Sequence, residues 1–130
     1  MTFREISLSL SLVLGGVIMV VIGAVYYSVA PVVRRVEVEA RETGLRNALD
    51  QMRGAIKTYA AERRQLPNTL DDLVEAKLLT RVPLNPITET RNWRVIKGTR
   101  LNGLESAPGI VDVRCESSAT SSKGTLYSDW

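Results

Sequence analysis

The sequence predicts an α+β chain: a long N-terminal α-helix, apolar in its first half, followed by a small globular head of helices and a short antiparallel β-sheet. Three observations predict it. Residues 6–33 carry no charge at all. Leu45, Leu49, Met52, Ile56 and Tyr59 then recur at steps of four and three, the spacing of one helix face. Late in the chain, two short runs at 92–96 and 109–113 read as strands between turn-forming residues. The chain therefore divides into 1–33, an apolar helix, and 34–130, an amphipathic helix plus a small α+β head.

In the first segment, a continuous helix over 6–33 would run roughly 42 Å at about 1.5 Å per residue. A hydrocarbon core is about 30 Å thick, so the segment is long enough to cross it. Ser28-Val29-Ala30 reads like a small-x-small cleavage motif, yet the apolar region before it is longer than a signal peptide needs and Pro31 follows the cut. An uncleaved span is the expectation. Arg34, Arg35 and Arg41 follow the span and only Arg4 precedes it, which by itself places the C-terminal side in the cytoplasm.

This segment is not composed like a plain tether. Ser7, Ser9 and Ser11 alternate early, and Gly15, Gly16 and Gly23 are small residues that let helices approach closely or leave the regular helix. Pro31 fixes its own φ and lacks an N–H donor, so a bend or local break is expected there. Glu5 is the one acid at the entrance. An ionised carboxylate beside an apolar environment calls for a partner. A free α-amino group, its own or a neighbouring chain's, would serve; the alternative places Glu5 in the headgroup layer beside Arg4.

In the head, the stripe of Leu45, Leu49, Met52, Ile56 and Tyr59 needs cover on one side, while Arg46, Asp50, Arg53, Lys57 and Glu62 occupy the opposite, solvated face. Pro67 is expected to end the helix. Asn68-Thr69 can cap a second helix with apolar positions Leu70, Leu73, Val74, Ala76, Leu78 and Leu79, and Asp71 and Asp72 suit the positive end of its dipole. Pro83 and Pro86 punctuate a loop, 92–96 forms a strand, 97–103 reads as a turn or loop, and 109–113 forms a second strand. The tail 116–130 is rich in Ser, Thr and Gly, and its aromatics Tyr127 and Trp130 are expected to pin it back onto the head.

Composition removes whole classes of function. The 130 residues carry 17 basic and 14 acidic side chains, a net charge of +3, interleaved along most of the chain. No one-signed field suited to nucleic acid results. With no His and the single Cys115, soft-metal sites and thiol or imidazole catalysis have no material. No nucleophile and base stand at a recognisable spacing, so the chain reads as non-enzymatic. Cys115 cannot form an intramolecular disulfide; burial as a small apolar residue is the preferred reading, a bridge between subunits the other.

Several pieces stand in a telling order. Thr2 and Glu5 open the apolar helix; a run from Leu45-Arg46-Asn47 to Lys57-Thr58-Tyr59 follows; then come Leu66-Pro67, Leu70-Asp71-Asp72-Leu73-Val74-Glu75-Ala76, Val82-Pro83, Asn85-Pro86 and the closing Tyr127-Ser128-Asp129-Trp130. Over nearly the whole chain this order resembles the type IV pilin-like family, most closely the G-type major pseudopilins of type II secretion systems. The resemblance implies a structural subunit that polymerises into a helical pseudopilus or pilus-like filament supporting protein export across the outer membrane. It implies a prepilin peptidase that removes a short basic leader and methylates the new N-terminus. Before assembly the helix would sit in the inner membrane with the head in the periplasm; afterwards the helices form the core of a periplasmic or extracellular filament. Minor pseudopilins and an inner-membrane assembly platform are the implied partners beside further copies of the chain.

Met1, Thr2, Glu5, Gly15, Gly16, Gly23 and Pro31 are the implied assembly residues. If Met1 is the mature N-terminus, Glu5 falls at the family's acidic position, and a lost basic leader reconciles the charge distribution with a periplasmic head. The chain departs from the family at Met1 and Arg4, where Phe and an aliphatic residue are usual, and at Ile22, where Pro is common. The resemblance also implies a Ca²⁺ in the C-terminal loop, with Glu116, Ser118 and Asp129 as candidate ligands. Ser118 and Lys123 stand where related sequences carry Asp, which leaves that donor set thin. The alternative function is a single-pass, membrane-anchored periplasmic domain that binds a partner protein and does not polymerise.

Overall fold

The computed structural model describes residues 2–130. It has the α+β layout expected: a long N-terminal helix, a short second helix and a two-stranded antiparallel sheet. The chain forms two compact units, Met1–Glu37 and Val38–Trp130.

Helix α1 runs Phe3–Arg63, 61 residues, with Pro31 inside it. Of the bend or local break expected at Pro31, the break does not occur, because the helix is continuous through it. A proline removes one rung of the hydrogen-bond ladder, and the residues on either side carry the helix past it. The helix stops at Arg63, ahead of Pro67. Arg64 takes a left-handed conformation, φ 55°, and its N–H donates to the Ala60 carbonyl at 3.0 Å, closing the last turn.

The head core assembles on the expected stripe. Leu45, Leu49, Met52, Ile56 and Tyr59 are buried, in one cluster with Leu73, Leu79, Trp93, Ile110, Val113, Cys115 and Tyr127. Each fully buried aliphatic side chain contributes about 1.5–3 kcal/mol relative to exposure. Helix α2, Leu70–Glu75, is shorter than its apolar pattern predicts. Thr69 caps it: its hydroxyl accepts from the Asp72 N–H at 3.3 Å, and the Asp72 carboxylate accepts from the N–H groups of Thr69 at 3.0 Å and Asn68 at 2.7 Å. Asp72 is thus half of a capping box as well as a charge near a helix dipole. Its carboxyl is held below its ordinary 3.8 by the Thr69 backbone N–H first, against burial, with the Asn68 N–H and the Thr69 hydroxyl adding to it. Past the helix, Lys77 turns left-handed and the N–H groups of Leu78 and Leu79 return to the Leu73 carbonyl.

The strands are longer than their alternating runs. Strand β1, Arg94–Leu101, pairs antiparallel with β2, Leu104–Arg114. The turn is Asn102-Gly103, both at positive φ, 47° and 81°. An Asn-Gly pair between strands is the strongest short-range hairpin signal, because both residues tolerate the left-handed region a tight turn requires. Residues 97–101, expected as loop, therefore extend the strand. Two register shifts, at Ile96/Lys97 and Gly98/Arg100, absorb the irregular pairing.

A hairpin alone is marginally stable in water, so what holds it matters. The Ile110 N–H donates to the Pro67 carbonyl at 2.7 Å, stitching β2 to the connection after α1. That approach requires Gly109: a Cβ there would lie 2.5 Å from Leu66 Cβ and 2.8 Å from the Pro67 carbonyl oxygen. On the other side of the core, Arg53 of α1 donates through Nε to Asp112 Oδ1 at 2.7 Å and through Nη2 to the Val113 carbonyl at 3.0 Å. Arg53 was expected on the solvated face; it is partly buried in this pairing instead.

Candidate functional site

The N-terminal helix is the candidate assembly element. It contains an 18-residue window of mean hydropathy 2.6, none of it buried, long and apolar enough to cross a membrane. Large apolar side chains lie open along it, Leu12, Met19, Val20 and Tyr27 among the most exposed. Leaving such a surface in water is unfavourable by roughly 25 cal/mol per Å², which favours cover by lipid or protein.

The serine hydroxyls within this surface are already satisfied locally. The hydroxyls of Ser7, Ser9, Ser11 and Ser28 donate to backbone carbonyls three or four residues earlier, at 2.8–3.0 Å. Serines that turn inward to the helix backbone present small, nearly apolar faces outward. Gly15, Gly16 and Gly23 have nothing within 4 Å of where a Cβ would stand. Nothing inside one copy of the described chain requires glycine at these three positions.

Glu5 lies in the first turn, its N–H donating to the Thr2 carbonyl at 3.0 Å. That places an acid among N–H groups left free at a helix start, where a negative charge is favoured. Among the described residues Glu5 has no ion-pair partner. Thr2 and Glu5 thus stand together, Gly15, Gly16 and Gly23 line the exposed span, and Pro31 continues the helix. Met1 lies outside the described residues.

The calcium candidates stand in the C-terminal loop. Glu116 is exposed just past β2 and lines a surface hollow with Arg91 and Lys97; Ser118 is exposed in the loop; Asp129 is exposed in a closing 3-10 turn, Tyr127–Asp129. Among the described residues, no three His, Cys, Asp or Glu side chains gather as a metal would require.

The polar centre of this region is elsewhere, at Glu42. Glu42 precedes Leu45 by three residues and Leu49 by seven, so it shares the buried face of α1, and it is 5% exposed. Its Oε1 accepts from the Ser122 N–H at 2.6 Å and from the Tyr127 hydroxyl at 3.0 Å; its Oε2 accepts from the Ser122 hydroxyl at 2.7 Å. These bonds hold its carboxyl below the ordinary 4.5, the Ser122 N–H contributing most, burial opposing, then the Ser122 and Tyr127 hydroxyls and the charge of Arg46. Burial first, and then Glu42, pushes the Tyr127 phenol above its ordinary 10.0. Glu42 is not among the residues the motifs single out; an acid in register with an apolar stripe is the signal that marks it.

Around Glu42 the tail is closed on itself. Ser121 Oγ accepts from the N–H groups of Lys123 and Thr125, and Ser121 and Thr125 share a hydroxyl bond of 2.8 Å. The Tyr127 N–H donates to the Ala119 carbonyl at 3.0 Å, and the Trp130 indole donates to Thr125 Oγ1 at 2.9 Å. Tyr127 and Trp130 meet edge to face at 5.3 Å, and the Arg46 guanidinium lies 4.4 Å from the Trp130 ring centre. The tail is pinned back by both aromatics, as expected. Cys115 is buried, also as expected, and accepts from Asn85 Nδ2 at 3.2 Å.

A long N-terminal apolar helix with a small β-containing head is compatible with a pilin-like fold. No protein family, curated protein or solved structure gives a match to this chain.

Proposed function

We propose that this chain is a structural subunit of a helical filament of the type II secretion pseudopilus or type IV pilus kind, supporting protein export across the outer membrane. The observation that carries the reading is an unburied apolar helix, glycine-interrupted, with Glu5 as the one acid at its start. Lipid covers that helix before assembly; neighbouring copies cover it afterwards. Gly15, Gly16 and Gly23 then let helices pack closely, and Glu5 takes a cation from an adjacent copy. A carboxylate moved out of water is costly unless paired in good geometry, so the pairing favours one subunit register over others. The inner membrane, with the head in the periplasm, is the resting location in this reading, and the partners are further copies, minor pseudopilins and the assembly platform.

Substituting Glu5→Ala tests it. The expected result is a loss of filament yield of at least about tenfold with the membrane-bound subunit level unchanged, about 1.4 kcal/mol or more per subunit added. Unchanged yield would overturn the reading and leave a membrane-tethered periplasmic domain that binds a partner protein.

A further inference from the structure

The C-terminal loop is where the family resemblance implies a cation and where the structure concentrates hydrogen bonds on one buried carboxylate. The cation and the carboxylate solve the same problem. A Ser- and Gly-rich tail has little apolar surface of its own, so ordering it needs a charged centre that gathers its polar groups. Calcium would do this by drawing six to eight oxygens. Glu42 does the reverse, gathering N–H and O–H donors from the loop backbone, a loop hydroxyl and the Tyr127 phenol.

The two solutions do not coexist on these residues. Glu42 already accepts three bonds, and the hydroxyls of Ser121, Ser122 and Thr125 are engaged with each other, with Glu42 or with the Trp130 indole. Of the candidate ligands, Glu116 shares its hollow with two cationic side chains, and among the described residues neither Glu116 nor Asp129 belongs to a cluster of three His, Cys, Asp or Glu side chains. The charged side chains a calcium ion would draw on are not gathered here among the described residues.

We propose that Glu42 is the positioning residue that orders residues 116–130, and that this loop is held without a divalent cation. The carboxylate ties the loop to α1 from inside the core, while Arg46 over Trp130 ties it from outside, so the two contacts grip the tail at both ends of its last turn. The inference concerns the head alone and holds whether or not the chain polymerises.

The test is hydrogen exchange and thermal melting of the full chain in detergent micelles, with 1 mM calcium chloride or with EDTA, on the unaltered chain, Glu42→Gln and Tyr127→Phe. The expected result is identical melting and loop protection in calcium and EDTA. Glu42→Gln should raise exchange across 116–130 by roughly tenfold or more, since a buried acceptor of three donors is weakened. Tyr127→Phe, which removes one donor and keeps the ring, should raise it by a smaller factor and serves if Glu42→Gln does not fold. A calcium-dependent gain in melting temperature or loop protection would overturn the proposal, as would unchanged loop protection in both variants.

Discussion

Ser122 donates twice to the carboxylate of Glu42, 80 residues earlier, through its backbone N–H at 2.6 Å and its hydroxyl at 2.7 Å. The tail of the head is thereby fastened to α1 by a charge-assisted pair with both oxygens used, the strong class of hydrogen bond.

A pH profile follows from this pair. The folded state holds Glu42 below its ordinary 4.5, so its contribution is whole above that value and is lost as pH falls through the lowered one. Tyr127 is held above 10.0, so its contribution is whole below that value and is lost as pH rises through the raised one. The groups around them are Arg46 on the same helix, Ser122 in the loop and Cys115 beside Tyr127. The melting temperature should therefore be level between these limits and fall on either side. Glu42→Gln should flatten the acid limb in part, the remainder belonging to Asp72, whose carboxyl is also lowered. An acid limb unchanged in Glu42→Gln would contradict the assignment.

Arg53 bridges α1 and β2 through Asp112 and the Val113 carbonyl, the Arg53 and Asp112 side chains each about one-third exposed. Arg53→Lys keeps the charge and loses the fork, so it should be as damaging as many neutral replacements. A loss of about 1–2 kcal/mol is expected, partly screened by salt, which for a head of this size lowers the melting temperature by roughly 4–15 °C. Calorimetry at low and high salt measures both parts.

Gly109→Ala should destabilise the head by about 1–3 kcal/mol, because its Cβ meets Leu66 and the Pro67 carbonyl rather than the end of a flexible side chain. Denaturant unfolding of Gly109→Ala beside Gly54→Ala gives the contrast. Gly54 lies in α1 with open space around its Cβ, so alanine there should stabilise by up to about 1 kcal/mol.

Gly15→Leu and Gly16→Leu separate folding from assembly. Nothing within one copy fills the space at either Cβ, so head melting should not change. Under the filament reading the added side chain sits between helices, and filament yield should fall several-fold in sheared fractions.

Much of the head was legible because periodicity reports burial directly: Leu45, Leu49, Met52, Ile56 and Tyr59 are where the helical repeat places them. The two residues that fasten the head were harder. Arg53 follows Met52 onto what looks like the solvated face, and its partner Asp112 lies 59 residues away, a separation no local pattern encodes. Glu42 occupies an apolar-face position, but an acid there ordinarily reads as solvated. Its partners, Ser122 and Tyr127, come from a tail with no periodicity. The hairpin is less legible at residues 97–101, where Lys97, Gly98 and Arg100 break the alternation, although Asn102-Gly103 marks its turn. At the N-terminus the apolar pattern gave the helix, and Pro31 failed to interrupt it because a long helix tolerates one missing rung.

The most direct measurement is electron cryomicroscopy of material sheared from cells that co-express the chain with a pilin-type assembly machinery. Helical fibres are expected, with residues 2–33 packed in the interior, the glycines at helix–helix contacts and Glu5 beside a cation of an adjacent copy. Exclusively dispersed, membrane-bound monomers under those conditions would contradict it.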